Sequence, residues 1–476
     1  MKLLKCVFGL FLSVLVITTQ SYSQSFNQEE YLVGTWLGKL KFQTTELRLV
    51  IRVEMKDGKL SALLDSPDQG TKDIPISEIK LKADSVFVTS TLIGGKFDGL
   101  FFKDSLKIAG IWKQGGGSFP LELRKVDKVE GPKRPQEPKP PFGYNTEDIE
   151  FDNVKAGIKL AGTFTYPKEG SDFPAVVMIS GSGGQDRDEL AFNHKPFLVI
   201  ADHLTKNGIA VLRFDDRGIG KSKGVFAGAT TKDFAEDVLA AVEYLKTRKE
   251  IDKKKIGLIG HSEGGIIAPM IASENQDISF IVLLAGPGIA GDELILKQAQ
   301  LIMETEGQKQ EAINNSMNTN RKLYELAKSD ADTSVINTKT KEYIHEFYLT
   351  LSEEDKKTMP PEERFAQRQQ KIISSPWFRY FLKYDPRPAL EKVKCPVLAL
   401  NGEKDIQVPP KENLSAIEEA LKKGGNKKYK VIEFPGLNHI FQPCTTCSIS
   451  EYAKIEETFS PMVLGIMTDW IIEIIK

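Results

Sequence analysis

The chain has 476 residues, 41% of them hydrophobic and 27% charged, with a net charge of −1 and four cysteines. Such a length allows about three structural units, and the composition excludes wholesale disorder. Near-neutrality argues against a nucleic-acid binder, whose affinity rests on basic residues neutralising phosphates. Four cysteines are too few for a disulfide scaffold. No apolar run reaches the roughly 20 residues of a membrane helix, which excludes a multi-span protein.

Lys2 and Lys5 precede the apolar run from Cys6 to Ile17, and Ser21-Tyr22-Ser23-Gln24 follows. A charged start, a short apolar middle and small residues two apart predict a secretory signal over residues 1–23, cut after Ser23. Cys6 lies too early for lipid attachment. The mature chain is therefore expected to be secreted or periplasmic, with no membrane span.

Residues 24–126 predict a small antiparallel all-β domain. Leu47, Leu49, Ile51, Val53 and Met55 alternate with polar residues, giving a strand one apolar face. Turn signals recur, as at Lys56-Asp57-Gly58-Lys59 and Gly115-Gly116-Gly117. About eight short strands at this spacing predict a barrel or sandwich. The segment has no histidine, no cysteine and no paired acids at ligand spacing, so a structural or substrate-positioning role is expected, with carbohydrate or lipid binding as the alternative. Residues 127–147, with Pro132, Pro135, Pro138, Pro140 and Pro141, predict a semi-rigid extended linker.

From about residue 148 to the end the pattern is α/β. Apolar strands at 174–180, 209–215, 255–260, 280–285, 397–401 and 430–434 alternate with amphipathic helices. Continuous apolar strands imply a parallel sheet covered on both faces. Phe234, Val238, Ala241, Val242 and Leu245 mark one helix. Between about 287 and 388 the strand rhythm stops and polar helices follow, which reads as a helical cap ending in Trp377-Phe378-Arg379-Tyr380-Phe381.

Gly260-His261-Ser262-Glu263-Gly264 fits G-x-S-x-G between an apolar strand and an apolar helix. The turn must be sharp, hence glycine on both sides, and it lifts the hydroxyl of Ser262 above the sheet. A serine nucleophile needs a base. Of the five histidines, His439 alone follows a late strand on a turn, Pro435-Gly436-Leu437-Asn438, from which it could swing over Ser262. His261 should point away from its neighbour, His203 is read as structural, His194 as a rim residue and His345 as a cap residue. The base needs an acid to hold its tautomer. Asp405 ends Asn401-Gly402-Glu403-Lys404-Asp405, with Glu403 as a solvated rival and Asp385 as a turn cap. The oxyanion donors should be the backbone N–H of Glu263 and, from the loop Ser180-Gly181-Ser182-Gly183-Gly184, that of Ser182.

These motifs, with Phe214-Asp215-Asp216-Arg217-Gly218-Ile219-Gly220-Lys221-Ser222, resemble the α/β-hydrolase superfamily. The chain is most similar to its secreted bacterial carboxylesterases and related serine aminopeptidases. The order Ser262, Asp405, His439 is that of the superfamily. The resemblance implies that Asp215 to Ser222 is structural and lies below the site. The oxyanion loop departs from it by starting with Ser180 where many relatives have histidine, and the front β domain lies outside the resemblance.

The expected function is hydrolysis of carboxylic esters through an acyl-enzyme, without metal or cofactor. A small-molecule acyl ester, or a short peptide, would be the substrate. The alternatives are a serine peptidase or acyl-aminoacyl amidase, in which cap acids such as Asp292, Glu342 or Glu346 would hold an amino terminus, and a non-catalytic binding protein. Gly218 to Ser222 resembles the end of a phosphate-binding loop, but Asp215 stands where its first glycine belongs. No zinc-ligand motif occurs. Cys444 and Cys447 would close a small disulfide in an oxidising compartment or remain thiols, and Cys395 is read as an inert core thiol.

Overall fold

The computed structural model describes residues 28–42, 45–69, 71–129 and 133–476. The predicted signal segment lies outside the described residues. The front domain is one antiparallel sheet of nine strands: β1 (Gly34–Phe42), β2 (Thr45–Lys56), β3 (Lys59–Ser66), β4 (Thr71–Pro75), β5 (Glu78–Lys82), β6 (Ser85–Ser90), β7 (Gly95–Phe102), β8 (Lys107–Gln114) and β9 (Gly117–Val126). Their order is β4-β3-β2-β1-β9-β8-β7-β6-β5. The two edge strands, β4 and β5, are separated by only Ile76 and Ser77, so the sheet must curl until its edges approach. The period-two alternation works as expected: Leu49, Ile51 and Val53 of β2 point inward with Trp36, Phe97, Trp112, Leu121 and Leu123. Each such buried side chain contributes roughly 1.5–3 kcal/mol. The indole N–H of Trp36 is satisfied by Leu32 O at 2.7 Å.

The proline-rich segment is docked rather than spacing two bodies apart. Besides the neighbouring Lys133 O, Arg134 donates to four backbone carbonyls of other segments: Ile455 at 2.7 Å, Ala453 at 2.8 Å, Asn193 at 2.9 Å and Phe192 at 3.3 Å. Gln136 donates to Phe459 O at 2.7 Å and accepts from Thr458 N at 2.6 Å. Polyproline stiffness says nothing about side chains that find carbonyls far along the chain, which is why composition alone suggests a spacer. On the front domain, Pro67 O accepts from the Asn193 amide.

The second sheet has eight strands in the order β10-β11-β13-β12-β14-β15-β16-β17. Strands β12 (Phe173–Ile179), β13 (Ala210–Phe214), β14 (Ile251–His261), β15 (Ile278–Leu284), β16 (Val397–Gly402) and β17 (Tyr429–Phe434) are parallel. An antiparallel hairpin, β10 (Asn145–Asn153) and β11 (Ile158–Tyr166), extends one edge. Its first strand reads NTEDIEFDN, too polar to stand out as a sheet strand in sequence.

One face of the sheet is covered by α1 (Pro196–Lys206) and α13 (Pro461–Ile474). The other is covered by α2 (Thr231–Thr247), α3 (Gly264–Ala272) and α11 (Pro410–Lys423). The cap is inserted between β15 and β16. It comprises α4 (Gly291–Thr305), α5 (Gln310–Lys328), α6 (Thr333–Thr350), α7 (Glu353–Thr358), α8 (Glu362–Ile373) and α9 (Pro376–Lys383), followed by α10 (Arg387–Leu390) on the way back to the sheet. Leu323, Ile336, Ile344, Ile373 and Phe378 give the cap its own core. A last short helix, α12 (Ile449–Tyr452), follows β17. No helix among the described residues is long and apolar enough to cross a membrane.

Candidate active site

Ser262 sits where β14 turns into α3, with φ 51°, in the left-handed region. The surrounding glycines are steric necessities. A Cβ at Gly260 would lie 2.0 Å from Gly264 O, one at Gly264 2.2 Å from Ile179 O, and one at Gly265 2.5 Å from the Cα of Gly286. The turn is pinned by Ser262 N to Leu284 O at 2.9 Å and Gly265 N to Ser262 O at 2.8 Å. Ser262 is partly exposed while His261 and Glu263 on either side are buried.

Asp405 lies past the end of β16 and is buried. Its Oδ1 accepts from Gln407 N at 2.8 Å and Val408 N at 2.9 Å, and its Oδ2 accepts from His439 Nδ1 at 2.7 Å. Those backbone donors fix the carboxylate, which in turn fixes the imidazole plane. The loop carrying His439 is tied down rather than free to swing. Asn438 Oδ1 accepts from Ile440 N and Gln442 N at 3.1 and 2.9 Å, and Asn438 N donates to Gln442 O at 3.0 Å. A cavity of about 450 Å³ is lined by both Ser262 and His439, together with Gly181, Ser182, Trp377 and Phe381.

Gly181 and Ser182 face that cavity from the loop after β12. Gly181 N is committed to Glu189 Oε1 at 2.7 Å, which leaves the next N–H, that of Ser182, as the loop's candidate donor. Glu263 begins the first turn of α3, where backbone N–H groups have no carbonyl one turn back to bond. Its side chain is turned into the protein. It accepts from Thr231 Oγ1 at 2.7 Å and from Trp377 Nε1 at 2.9 Å, and Ser182 is a further side-chain partner. Burial without a cationic partner raises its carboxyl above the usual range.

One reading of the other candidate residues needs correction, and the rest acquire partners. His194 is not at the rim: it is fully buried, 2.9 Å from Thr458 Oγ1 and 3.0 Å from Tyr452 O. His261 does not simply point away. Its Nδ1 lies 2.8 Å from Glu189 Oε1 and its Nε2 3.2 Å from His439 O. The cap acids Glu342 and Glu346 are ion-paired to Lys339 and Lys322, each at 2.6 Å, and Asp292 to Lys328. None of the three lines the cavity. Asp385 accepts from Arg387 N at 3.0 Å, as a turn cap should, and Glu403 binds Lys404 at 3.1 Å on the surface. His345 pairs with Glu362 on the cap exterior.

Asp215 is buried. It takes Arg187 N, the Arg187 guanidinium and Lys221 N, at 2.8–3.0 Å. A Cβ at Gly220 would lie 2.5 Å from its Oδ2, so this stretch is a tight carboxylate-centred turn rather than a phosphate loop. Cys444 and Cys447 are bridged. Cys395 is half-buried, and desolvation pushes its thiol up to about 12. Glu189 carried no motif and reaches the site from a segment with no local sequence signature, whereas Trp377 opens the aromatic run that marks the end of the cap.

A parallel sheet flanked on both faces, a strand–turn–helix at Ser262 and a helical insertion after β15 define the α/β-hydrolase fold. Residues 195–353 match the family described as serine aminopeptidase, S33. Esterase EstD of Thermotoga maritima is 26% identical over 348 residues, covering 73% of this chain and 66% of that protein, just under two thirds of its length. An uncharacterised 31.7 kDa protein of Escherichia coli is 23% identical over 68% of this chain and 98% of its own. Among solved structures, the Pyrococcus furiosus esterase Pf2001 is 19% identical, with a TM-score of 0.42 over 69% of this chain and 93% of that one.

Proposed function

We propose that this protein is an exported serine hydrolase that cleaves small carboxylic esters, with Ser262 as nucleophile, His439 as base and Asp405 as its acid. The reading rests on one observation above others: His439, held by Asp405 at 2.7 Å, borders the same cavity as the strained Ser262 turn. In this reading Ser262 Oγ attacks the acyl carbon and His439 Nε2 takes its proton. The Asp405 carboxylate stabilises the imidazolium that forms. The tetrahedral oxyanion is held by the N–H groups of Ser182 and Glu263. Collapse expels the alcohol, which leaves with the proton from His439, and water repeats the sequence to release the acid. The esterase relative in Thermotoga maritima supports an ester as substrate.

Ester rather than peptide is favoured by the cavity wall. Leu294, Ile295, Phe381, Val408 and Ile440 supply apolar surface there, and its one carboxylate, Glu189, is already committed to His261 and Gly181. An aminopeptidase needs a carboxylate for the substrate's ammonium group. Export is supported by the Cys444–Cys447 bridge, of a kind rare in reducing compartments.

The test is to incubate the protein with a fluorophosphonate and map the adduct, then compare aryl esters with aminoacyl anilides. Labelling confined to Ser262 and faster ester turnover are expected. An unlabelled Ser262 would overturn the assignment, and faster anilide turnover would reverse the preference.

A further inference from the structure

Behind the Asp405–His439 pair lies a second acid–histidine pair. Glu189 is buried and holds φ 52°, a conformation that a side chain this long rarely adopts without tertiary enforcement. Its Oε1 takes two donors, Gly181 N at 2.7 Å and His261 Nδ1 at 2.8 Å. His261 is buried as well, and its Nε2 lies 3.2 Å from the backbone carbonyl of His439. The two imidazole rings are 4.8 Å apart between centroids. Both nitrogens of His261 therefore face acceptors, one a carboxylate oxygen and one a carbonyl oxygen. A neutral ring can donate from only one nitrogen and would leave the other lone pair against an oxygen.

We propose that Glu189 and His261 form a buried carboxylate–imidazolium pair, charged at neutral pH, whose role is to position the oxyanion loop and the His439 loop against the Ser262 turn. One carboxylate thereby connects three segments far apart in sequence: the loop after β12 through Gly181, the nucleophile turn through His261, and the base loop through the carbonyl of His439. The space is closed on the loop side too: a Cβ at Gly181 would lie 3.1 Å from Ser262 Cβ and 3.3 Å from Glu189 Oε1. The titratable groups facing the pair are Asp405 and His439 on the His261 side and Asp216 on the Glu189 side. Burial opposes a charge on His261, but Glu189, the His439 carbonyl and the charge of Asp405 outweigh it, and its pKa stands above the ordinary value. Glu189 and His261 are positioning residues. Their effect on turnover rests on the hydrolase reading, whereas the charge on His261 does not.

The test has two arms. In the first, histidine side chains of the wild-type protein are labelled with nitrogen-15, and His261 is assigned by comparison with His261→Gln. Both ring nitrogens should be protonated at pH 7.5, and Glu189→Gln should leave the ring neutral. A neutral His261 ring in the wild type at that pH overturns the proposal, whether or not the protein turns over any ester. The second arm follows aryl-ester hydrolysis from pH 5 to 9. Glu189→Gln should lower kcat by about 10²-fold, the scale set by a misplaced oxyanion donor, with KM changed less than threefold. The acid limb of kcat/KM should move to higher pH, because a cation beside the His439 ring has been removed. Adding His261→Gln to Glu189→Gln should cost little more, as expected for two residues acting as a unit. Unshifted limbs and additive losses would overturn the positioning role, while a wild type without any turnover would sink the hydrolase reading alone.

Discussion

Trp377, at the start of the last cap helix, donates its indole N–H at 2.9 Å to the buried carboxylate of Glu263, the residue directly after Ser262. The same N–H lies 3.1 Å from the second carboxylate oxygen, so this shared donor ties the cap to the turn that carries the candidate nucleophile. Trp377 also lines the cavity, so the cap's position and the cavity's shape depend on each other. Trp377→Phe keeps the ring but removes the donor. Leaving a buried carboxylate one bond short costs about 1–3 kcal/mol. Thermal unfolding should show that loss, and ester chain-length preference should broaden as the cap loosens. An unchanged Tm with unchanged preference would show that the bond couples nothing.

Asp405→Asn preserves size, but with its one oxygen held by Gln407 N and Val408 N it turns an NH2 group toward His439 Nδ1 and cannot accept the hydrogen bond made there. The wrong tautomer is then favoured, and kcat should fall about 10⁴-fold while the fold is retained. Steady-state kinetics with circular dichroism on the same preparation checks both halves.

Gly260→Ala tests the turn. The new methyl would sit 2.0 Å from the carbonyl oxygen of Gly264, which is backbone and cannot step aside. A loss of several kcal/mol is expected, at the severe end for a single substitution. Urea unfolding against wild type measures it. An alanine at Gly58, where nothing lies within 4 Å of the new methyl, serves as control for a surface turn at positive φ.

His194 predicts a pH dependence of stability. Burial lowers its pKa from the ordinary 6.5 to about 4. In the unfolded chain it protonates near 6.5, so its contribution is fully present above that pH and is lost as pH falls from 6.5 to about 4. The loss is on the order of 3 kcal/mol. Tm measured from pH 7.5 to 4 should drop less steeply for His194→Gln than for wild type, whatever the offset at pH 7.5.

The docked linker predicts where the front domain can be cut away. A chain starting at residue 133 keeps Arg134 and Gln136 on their carbonyls, whereas one starting at 141 leaves Ala453, Ile455 and Phe459 without those donors. The longer fragment should be soluble and melt higher. Equal melting points would mean that Arg134 contributes nothing to the sheet domain.

Local rules make much of this molecule readable in advance. Apolar runs such as PAVVMIS and FIVLLA can only be strands buried on both faces, and alternation from Leu47 to Met55 can only be a strand with one wet face. Gly260, before Ser262, announces a turn with no room for a Cβ, since its constraint from Gly264 acts within five residues, whereas Gly264 and Gly265 are pressed by Ile179 and Gly286 from other segments. What spans the chain is decided by packing alone. Nothing near Glu189 marks it as a partner of both Gly181 and His261, because the groups that hold it come from other segments. Arg134 looks like one more charge in a proline-rich stretch until carbonyls 319 and 321 residues away accept hydrogen bonds from it. The polar strand β10 becomes a strand only because β11 offers it an edge. Periodicity and steric exclusion are local and survive in one dimension, but a buried charge is stabilised by whichever groups the fold brings to it, and only the three-dimensional arrangement says which those are.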